Sequence, residues 1–184
     1  MVEIKNAEIF GLDKIKNIEI ENPDNLLKYV VVTYDIKMNL CIQPEFQRYC
    51  GNAINGNQFV MQQSRMHSLG KMMKEDFDPF TKYVDEESRE HISRLYHAYE
   101  VSKMNGSKKE QYEAYMKLIH NLPCGIELWA TITSNYLQLK TMVIQRWNHP
   151  QKEDWKEFVS FCFSLPEFKE LCGFDSPEWD LEKW

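Results

Sequence analysis

Residues 126–147 contain neither proline nor glycine and are bracketed by chain breakers. Leu122-Pro123 and Gly125 precede them, and Asn148-His149-Pro150 follow. Nothing within the stretch interrupts a helix of about six turns, and the spacing predicts one. Trp129, Ile132, Tyr136, Leu139, Val143 and Trp147 recur at steps of three and four, which is the apolar stripe of a helix with one buried face. On the same wheel Asn135 and Arg146 fall within about 20° of one another. They stand at one margin of the stripe, beside Leu128 and Leu139. A margin residue can border a ligand or a neighbouring subunit. The same positions also suit a mid-helix polar residue and an arginine whose stem lies along apolar surface near a helix C-terminus. Past the break, Asn148 or His149 can cap a further helix with Pro150 in its first turn.

The rest of the chain alternates strand and helix signals. Residues 2–4 and 17–20 read as short strands around Gly11, and a turn cluster follows at 22–25. Residues 28–38 (KYVVVTYDIKM) are β-branched and aromatic and give the strongest strand signal. Gln43-Pro44-Glu45 opens a helix presenting Phe46 and Tyr49 and ending near Cys50-Gly51, and the polar residues 52–63 read as a loop or a strand containing a turn. Asp85-Glu86-Glu87 opens a helix with Ile92, Leu95, Tyr96 and Tyr99 on its apolar face, closed by Asn105-Gly106. Ser107 and Glu110 form a capping box for the next helix, whose buried side is expected to hold Tyr112, Tyr115, Met116 and Ile119. After Pro150 a helix should bury Trp155, Phe158, Val159 and Cys162. Ser164 and Glu167 then cap a short helix stopped near Gly173, and Trp179 or Trp184 docks on a neighbour. The expected architecture is one α+β domain, residues 1–184, with a small sheet led by 28–38 and covered by about five helices.

Composition narrows the function. Five Trp, nine Tyr and ten Phe are too many for a disordered chain. No run approaches ~18 apolar residues, so no membrane span is expected, and the first residues lack the apolar core of a signal peptide. The net charge of −6 and the lack of a basic patch disfavour a nucleic-acid polymer, whose binding needs clustered cations. A single nucleotide asks only for one or two placed arginines. The five cysteines are scattered, without CxxC or zinc spacing, so no metal site is expected and reduced thiols in the cytoplasm are the simplest account.

The spacings Leu122-Pro123, Asn135, Arg146, His149, Gln151 and Glu153 resemble the C-terminal part of the flavin-dependent thymidylate synthases, also called thymidylate synthase complementing proteins. There a Leu-Pro opens a long helix, an asparagine follows, then an arginine, then a break with a histidine and a Gln-x-Glu. The break is one residue shorter here. The resemblance implies that Asn135 and His149 approach FAD and that Arg146 holds a pyrimidine nucleotide such as dUMP. A second region is similar in order, a strand leading into a helix and a loop. Arg48 stands at the family's first arginine, with Tyr49 and Cys50 in place of His-Arg. Asn55 keeps the asparagine, which would make Arg48 and Asn55 cofactor contacts. Gly56, Gln58 and Val60 replace a glutamate, a serine and a second arginine, although a shifted loop brings Ser64-Arg65 to the serine–arginine role, with Arg65 on substrate. The family's histidine before the central strand has no counterpart in residues 23–27. The resemblance further implies a homotetramer with ligand sites between subunits and one-carbon transfer from methylenetetrahydrofolate to C5 of dUMP, followed by reduction with FAD hydride. The substitutions in the second region leave two other readings: a non-catalytic relative that binds a nucleotide or a protein, and an unrelated helical interaction protein.

Overall fold

The computed structural model describes residues 2–16, 18, 23–46 and 78–184. Three strands, β1 (Glu3–Phe10), β2 (Val31–Asn39) and β3 (Glu127–Asn135), form a sheet of order β1-β2-β3. The protein is therefore α+β, with a small antiparallel sheet and, among the described residues, seven α-helices and one 3-10 turn. Two compact units are formed. The first comprises the described residues of 1–38, 42–66 and 129–184, and the second those of 39–41 and 67–128.

In the first unit β2 alternates as its sequence predicts. Val32, Tyr34, Ile36 and Met38 are buried while Val31, Thr33, Asp35 and Lys37 are half-buried. Pairing with β1 runs antiparallel from Glu3 opposite Lys37 to Phe10 opposite Val31, and β1 carries one extra residue between Lys5 and Glu8. Asn6 takes up that bulge in the left-handed region, at φ 55°, where asparagine is tolerated. Its Nδ2 donates to Asp35 Oδ2 at 2.8 Å. On the other side, Thr131 Oγ1 donates to Asp35 Oδ1 at 2.6 Å and the hydroxyls of Thr33 and Thr133 meet at 3.0 Å. As residue numbers rise on β2 their partners fall on β3, the mark of antiparallel pairing. The Asp35 carboxylate thus pins the central strand to both neighbours. Strand β1 extends well beyond the expected residues 2–4; residues 17–20 lie, apart from Ile18, outside the described residues.

The six-turn helix expected over 126–147 is not formed. Glu127–Asn135 is a strand, and only Tyr136–Arg146 is helical. The residues of ELWATITSN alternate strictly between Leu128 and Ser134: Leu128, Ala130, Ile132 and Ser134 are buried, and Trp129, Thr131 and Thr133 half-buried. Three consecutive positions, Thr131, Ile132 and Thr133, are β-branched, which favours the pleated sheet over a helix. The three-residue step from Trp129 to Ile132 coincides with helical spacing, but the two side chains lie on opposite faces of a strand.

Helices α1 (Leu12–Ile15) and α2 (Asp24–Leu27) are single turns between β1 and β2. Gly11 precedes α1 at φ 87°, and a Cβ there would stand 2.2 Å from the Tyr29 carbonyl oxygen. Gly11→Ala should therefore cost about 1–3 kcal/mol for the backbone conformation and more for the clash. Gly173, at φ 76° with nothing within 4 Å of an added Cβ, should tolerate alanine better. Urea melts of the two variants side by side check this order.

Past the second unit, α5 (Tyr136–Arg146), α6 (Lys152–Ser164) and α7 (Phe168–Cys172) complete the first one. As expected, α6 buries Trp155, Phe158, Val159 and Cys162. Tyr136 is fully buried and its hydroxyl donates to the Pro166 carbonyl at 2.7 Å. The entry to α7 differs from expectation. Glu167 is the N-cap in a left-handed conformation without a side-chain cap, because Ser164 Oγ donates backward to Phe161 O instead. Gly173 ends the helix as predicted. Trp179 and Trp184 both pack on Trp147, with ring centroids 4.9 and 5.0 Å away.

The second unit is a helical hairpin with a short strand extension. Helices α3 (Glu86–Asn105) and α4 (Lys108–His120) are capped as their sequences predict. Asp85 Oδ1 accepts from the Ser88 N–H at 2.8 Å, and Ser107 and Glu110 complete the capping box. The rings of Tyr99 and Tyr115 meet at 5.6 Å across the hairpin. On α4 the buried residue is Leu118, whereas Tyr112 and Tyr115 are exposed, contrary to expectation. Below the hairpin Ile126 and Leu128 are buried against Leu40, Phe80 and Leu122.

Candidate functional site

Helix α5 is the element on which the site expectations turn. Its buried side is Tyr136, Leu139, Met142, Val143 and Arg146. These residues recur at steps of three and four, so Arg146 continues the apolar stripe rather than standing at its margin. It is 6% exposed. A buried guanidinium needs an anion and further polar or π contacts to offset its desolvation. Glu45, in the helical turn of residues 43–46, supplies the carboxylate: Arg146 Nη2 donates to Glu45 Oε2 at 2.6 Å. The guanidinium carbon also lies 4.6 Å from the centroid of the Trp155 ring, within cation–π range.

Trp155 comes from the start of α6 and is fully buried. It stacks on Phe46 at 4.9 Å and 22° and meets Phe158 edge-on at 5.7 Å. Glu45 and Phe46 are adjacent, so one helical turn delivers both the carboxylate to Arg146 and a ring to Trp155. His149, in the break between α5 and α6, places its ring 6.2 Å from that of Trp155 at 73°. Its Nδ1 accepts from the Gln151 N–H at 3.2 Å, but Gln151 is the N-cap of α6 and carries no side-chain cap, so neither Asn148 nor His149 caps the helix and Pro150 precedes it. Arg146 and His149 therefore converge on one indole. Glu45 and Trp155 are the partners that sequence reasoning did not select as site residues. The acidic residue at a helix start and the tryptophan of an apolar face carried no signal beyond ordinary helix chemistry.

Asn135 does not join them. It is the N-cap of α5, 3% exposed, and its Oδ1 accepts from the Gln138 N–H at 2.8 Å. Cap and arginine stand at opposite ends of the helix, about 16 Å apart along its axis at ~1.5 Å per residue. The expectation of a shared margin fails because the chain is extended up to Asn135, where asparagine is among the best residues to begin a helix. Asn135→Ala should cost about 1–2 kcal/mol, since the cap and the Gln138 N–H both lose a partner. Asn135→Asp, which keeps the acceptor, should recover most of it, and thermal unfolding of the two variants checks the difference.

Arg48, Asn55 and Arg65 lie outside the described residues. A groove of about 540 Å³ runs past the end of α6, bordered by Phe163, Lys169, Asp175, Trp179 and Asp180, and none of Asn135, Arg146 and His149 lines it. Among the described residues no group of three or more His, Cys, Asp or Glu is placed to hold a metal ion, and no helix is long and apolar enough to cross a membrane. What the arrangement shows chemically is a buried ion pair: a shielded guanidinium lying on an indole face and balanced by one carboxylate. No protein-family model matches the chain, and no curated protein matches it.

Proposed function

We propose that this chain is a divergent relative of the flavin-dependent thymidylate synthases that binds a pyrimidine nucleotide of the dUMP type through Arg146. The observation that carries the reading is the state of that side chain: buried, 2.6 Å from Glu45 and against the face of Trp155. A guanidinium held this way has little left to order when an anion arrives, and the lower local dielectric strengthens the attraction. Glu45 is the internal anion that the nucleotide's phosphate replaces. The order of Leu122-Pro123, Asn135 and Arg146 supports assigning the arginine to a nucleotide rather than to another anion, although Leu122-Pro123 here leads into β3 and not into a long helix.

FAD fits the described residues poorly. Asn135 is committed as a buried cap, so a flavin would have to be met by His149 together with Arg48 and Asn55. The second reading, a non-catalytic relative that binds a nucleotide or a protein, rests on the residues that replace the family's pattern after Arg48, with Tyr49 and Cys50 in place of His-Arg. One-carbon transfer to C5 in a cytoplasmic homotetramer is the fuller form of the first reading and requires flavin. Thermal unfolding with dUMP tests the core of the proposal, since a ligand of the native state raises the melting temperature. A rise with dUMP, lost in Arg146→Lys, is expected; lysine keeps the charge but not the forked geometry. No rise at millimolar dUMP overturns the nucleotide reading. A visible flavin spectrum from purified protein, or on FAD addition, separates the catalytic form from the non-catalytic one.

A further inference from the structure

Of the five cysteines, four lie among the described residues, and they fall into two kinds. Cys162 and Cys172 are buried, and burial pushes the first thiol well up and the second to about 12, so both stay protonated and inert. Cys41 and Cys124 are both exposed and lie together in the second unit. Cys41 follows the end of β2, and Cys124 sits in the turn before β3. The two segments are still paired there, with the Leu40 N–H donating to Ile126 O at 3.2 Å. Asn39 Oδ1 fixes the turn by accepting from the Cys41 N–H at 3.0 Å. The Cys41 thiol donates to the carbonyl oxygen of Cys124 at 3.6 Å. That oxygen is about 2.4 Å from its own Cα by standard peptide dimensions, so the Cys41 sulfur lies within about 6 Å of the Cys124 Cα. Bringing the two sulfurs to bonding distance calls for rotation of both exposed side chains.

We propose that Cys41 and Cys124 form a reversible dithiol–disulfide site that responds to peroxide. One thiolate attacks a peroxide oxygen, the O–O bond breaks, and a sulfenic acid forms with loss of water after protonation. The second thiol attacks the sulfenic sulfur, the S–O bond breaks, and a second water leaves. Two thiols give up two electrons and two protons, and hydrogen peroxide is reduced to two waters. A dithiol reductant reverses the step by thiol–disulfide exchange. The bridge joins the two ends of residues 42–123, the stretch that carries Arg48, Asn55 and Arg65.

The full chain, treated with a small excess of hydrogen peroxide and digested without reduction, tests this by mass spectrometry. The expected product is a peptide pair joining Cys41 to Cys124, lighter by two hydrogens and restored by dithiothreitol. Denatured protein should then titrate three thiols rather than five, while neither Cys41→Ser nor Cys124→Ser should yield a disulfide-linked peptide pair. Bridging of either cysteine to Cys50, covalent dimers on a non-reducing gel, or oxidation of the two cysteines only to separate acids would each overturn the proposal.

Discussion

Trp155→Ala is expected to destabilise the protein by about 3–5 kcal/mol, the range for truncating a buried aromatic side chain. The indole is fully buried, stacks on Phe46, meets Phe158 edge-on and carries the Arg146 guanidinium on its face. Alanine removes all of these contacts, and the helical turn of residues 43–46 loses the ring that seats Phe46. At roughly 2–4 °C per kcal/mol for a chain of this size, the melting temperature should fall by about 10 °C. Trp155→Phe separates packing from polarity. The indole Nε1 is buried with no hydrogen-bond partner among the described residues, so losing it carries no hydrogen-bond cost. Phenylalanine should therefore keep more than half of the lost stability. Tyr29→Ala, at a residue 65% exposed, serves as the control and should change stability by less than about 0.5 kcal/mol. Equal losses for Trp155→Ala and Tyr29→Ala would mean that the indole is not the centre of the first unit's aromatic packing.

The second large effect concerns Arg146 and Glu45, whose side chains are 7% and 20% exposed. Removing one member of such a pair leaves the other buried with its charge uncompensated, which costs about 3–5 kcal/mol for fully buried pairs. Glu45 keeps some access to water, so Arg146→Ala should fall at the lower end, about 3 kcal/mol, including the emptied space over Trp155. Glu45→Gln should cost less, about 1–2 kcal/mol, because the amide oxygen can still accept from Nη2. The double variant Arg146→Ala, Glu45→Gln should be more stable than the sum of the single losses, with a coupling of about 1–2 kcal/mol in a double-mutant cycle. Denaturant melts of the four proteins measure it. Strict additivity would show that the two charges, though 2.6 Å apart, contribute as an ordinary surface pair.

Much of the framework was legible in the residues. The run VVTYDIKM showed a strand through its β-branched content and alternation. Ser107 with Glu110, and Asp85 before two glutamates, announced helix starts because only a few side chains can satisfy exposed N–H groups at that offset. Residues 127–135 were misread because Trp129, Ile132 and Tyr136 satisfy a helical period while Leu128, Ala130, Ile132 and Ser134 satisfy a strand period. With no glycine or proline at Asn135 to mark the junction, the β-branched Thr-Ile-Thr was the signal that decided it. Tyr112 and Tyr115 were placed inside by hydrophobicity, but the unit formed by α3 and α4 offers burial to Leu118 and Ile92 instead. The candidate site was half legible. Sequence spacing chose Arg146 and the family resemblance added His149, and both meet Trp155; spacing joined Asn135 to Arg146 through a helix that does not exist. Glu45 could not be found, since its pairing with Arg146 is a long-range contact that no local pattern encodes.

We propose that Glu45 holds the place of a nucleotide's phosphate on Arg146. Calorimetric titration of dUMP into wild-type and Glu45→Gln proteins, at one salt concentration, tests it most directly. If the carboxylate competes with phosphate, its neutralisation should tighten dUMP binding about tenfold, equivalent to ~1.4 kcal/mol. Equal or weaker binding by a folded Glu45→Gln protein, or no heat from either, would contradict the claim.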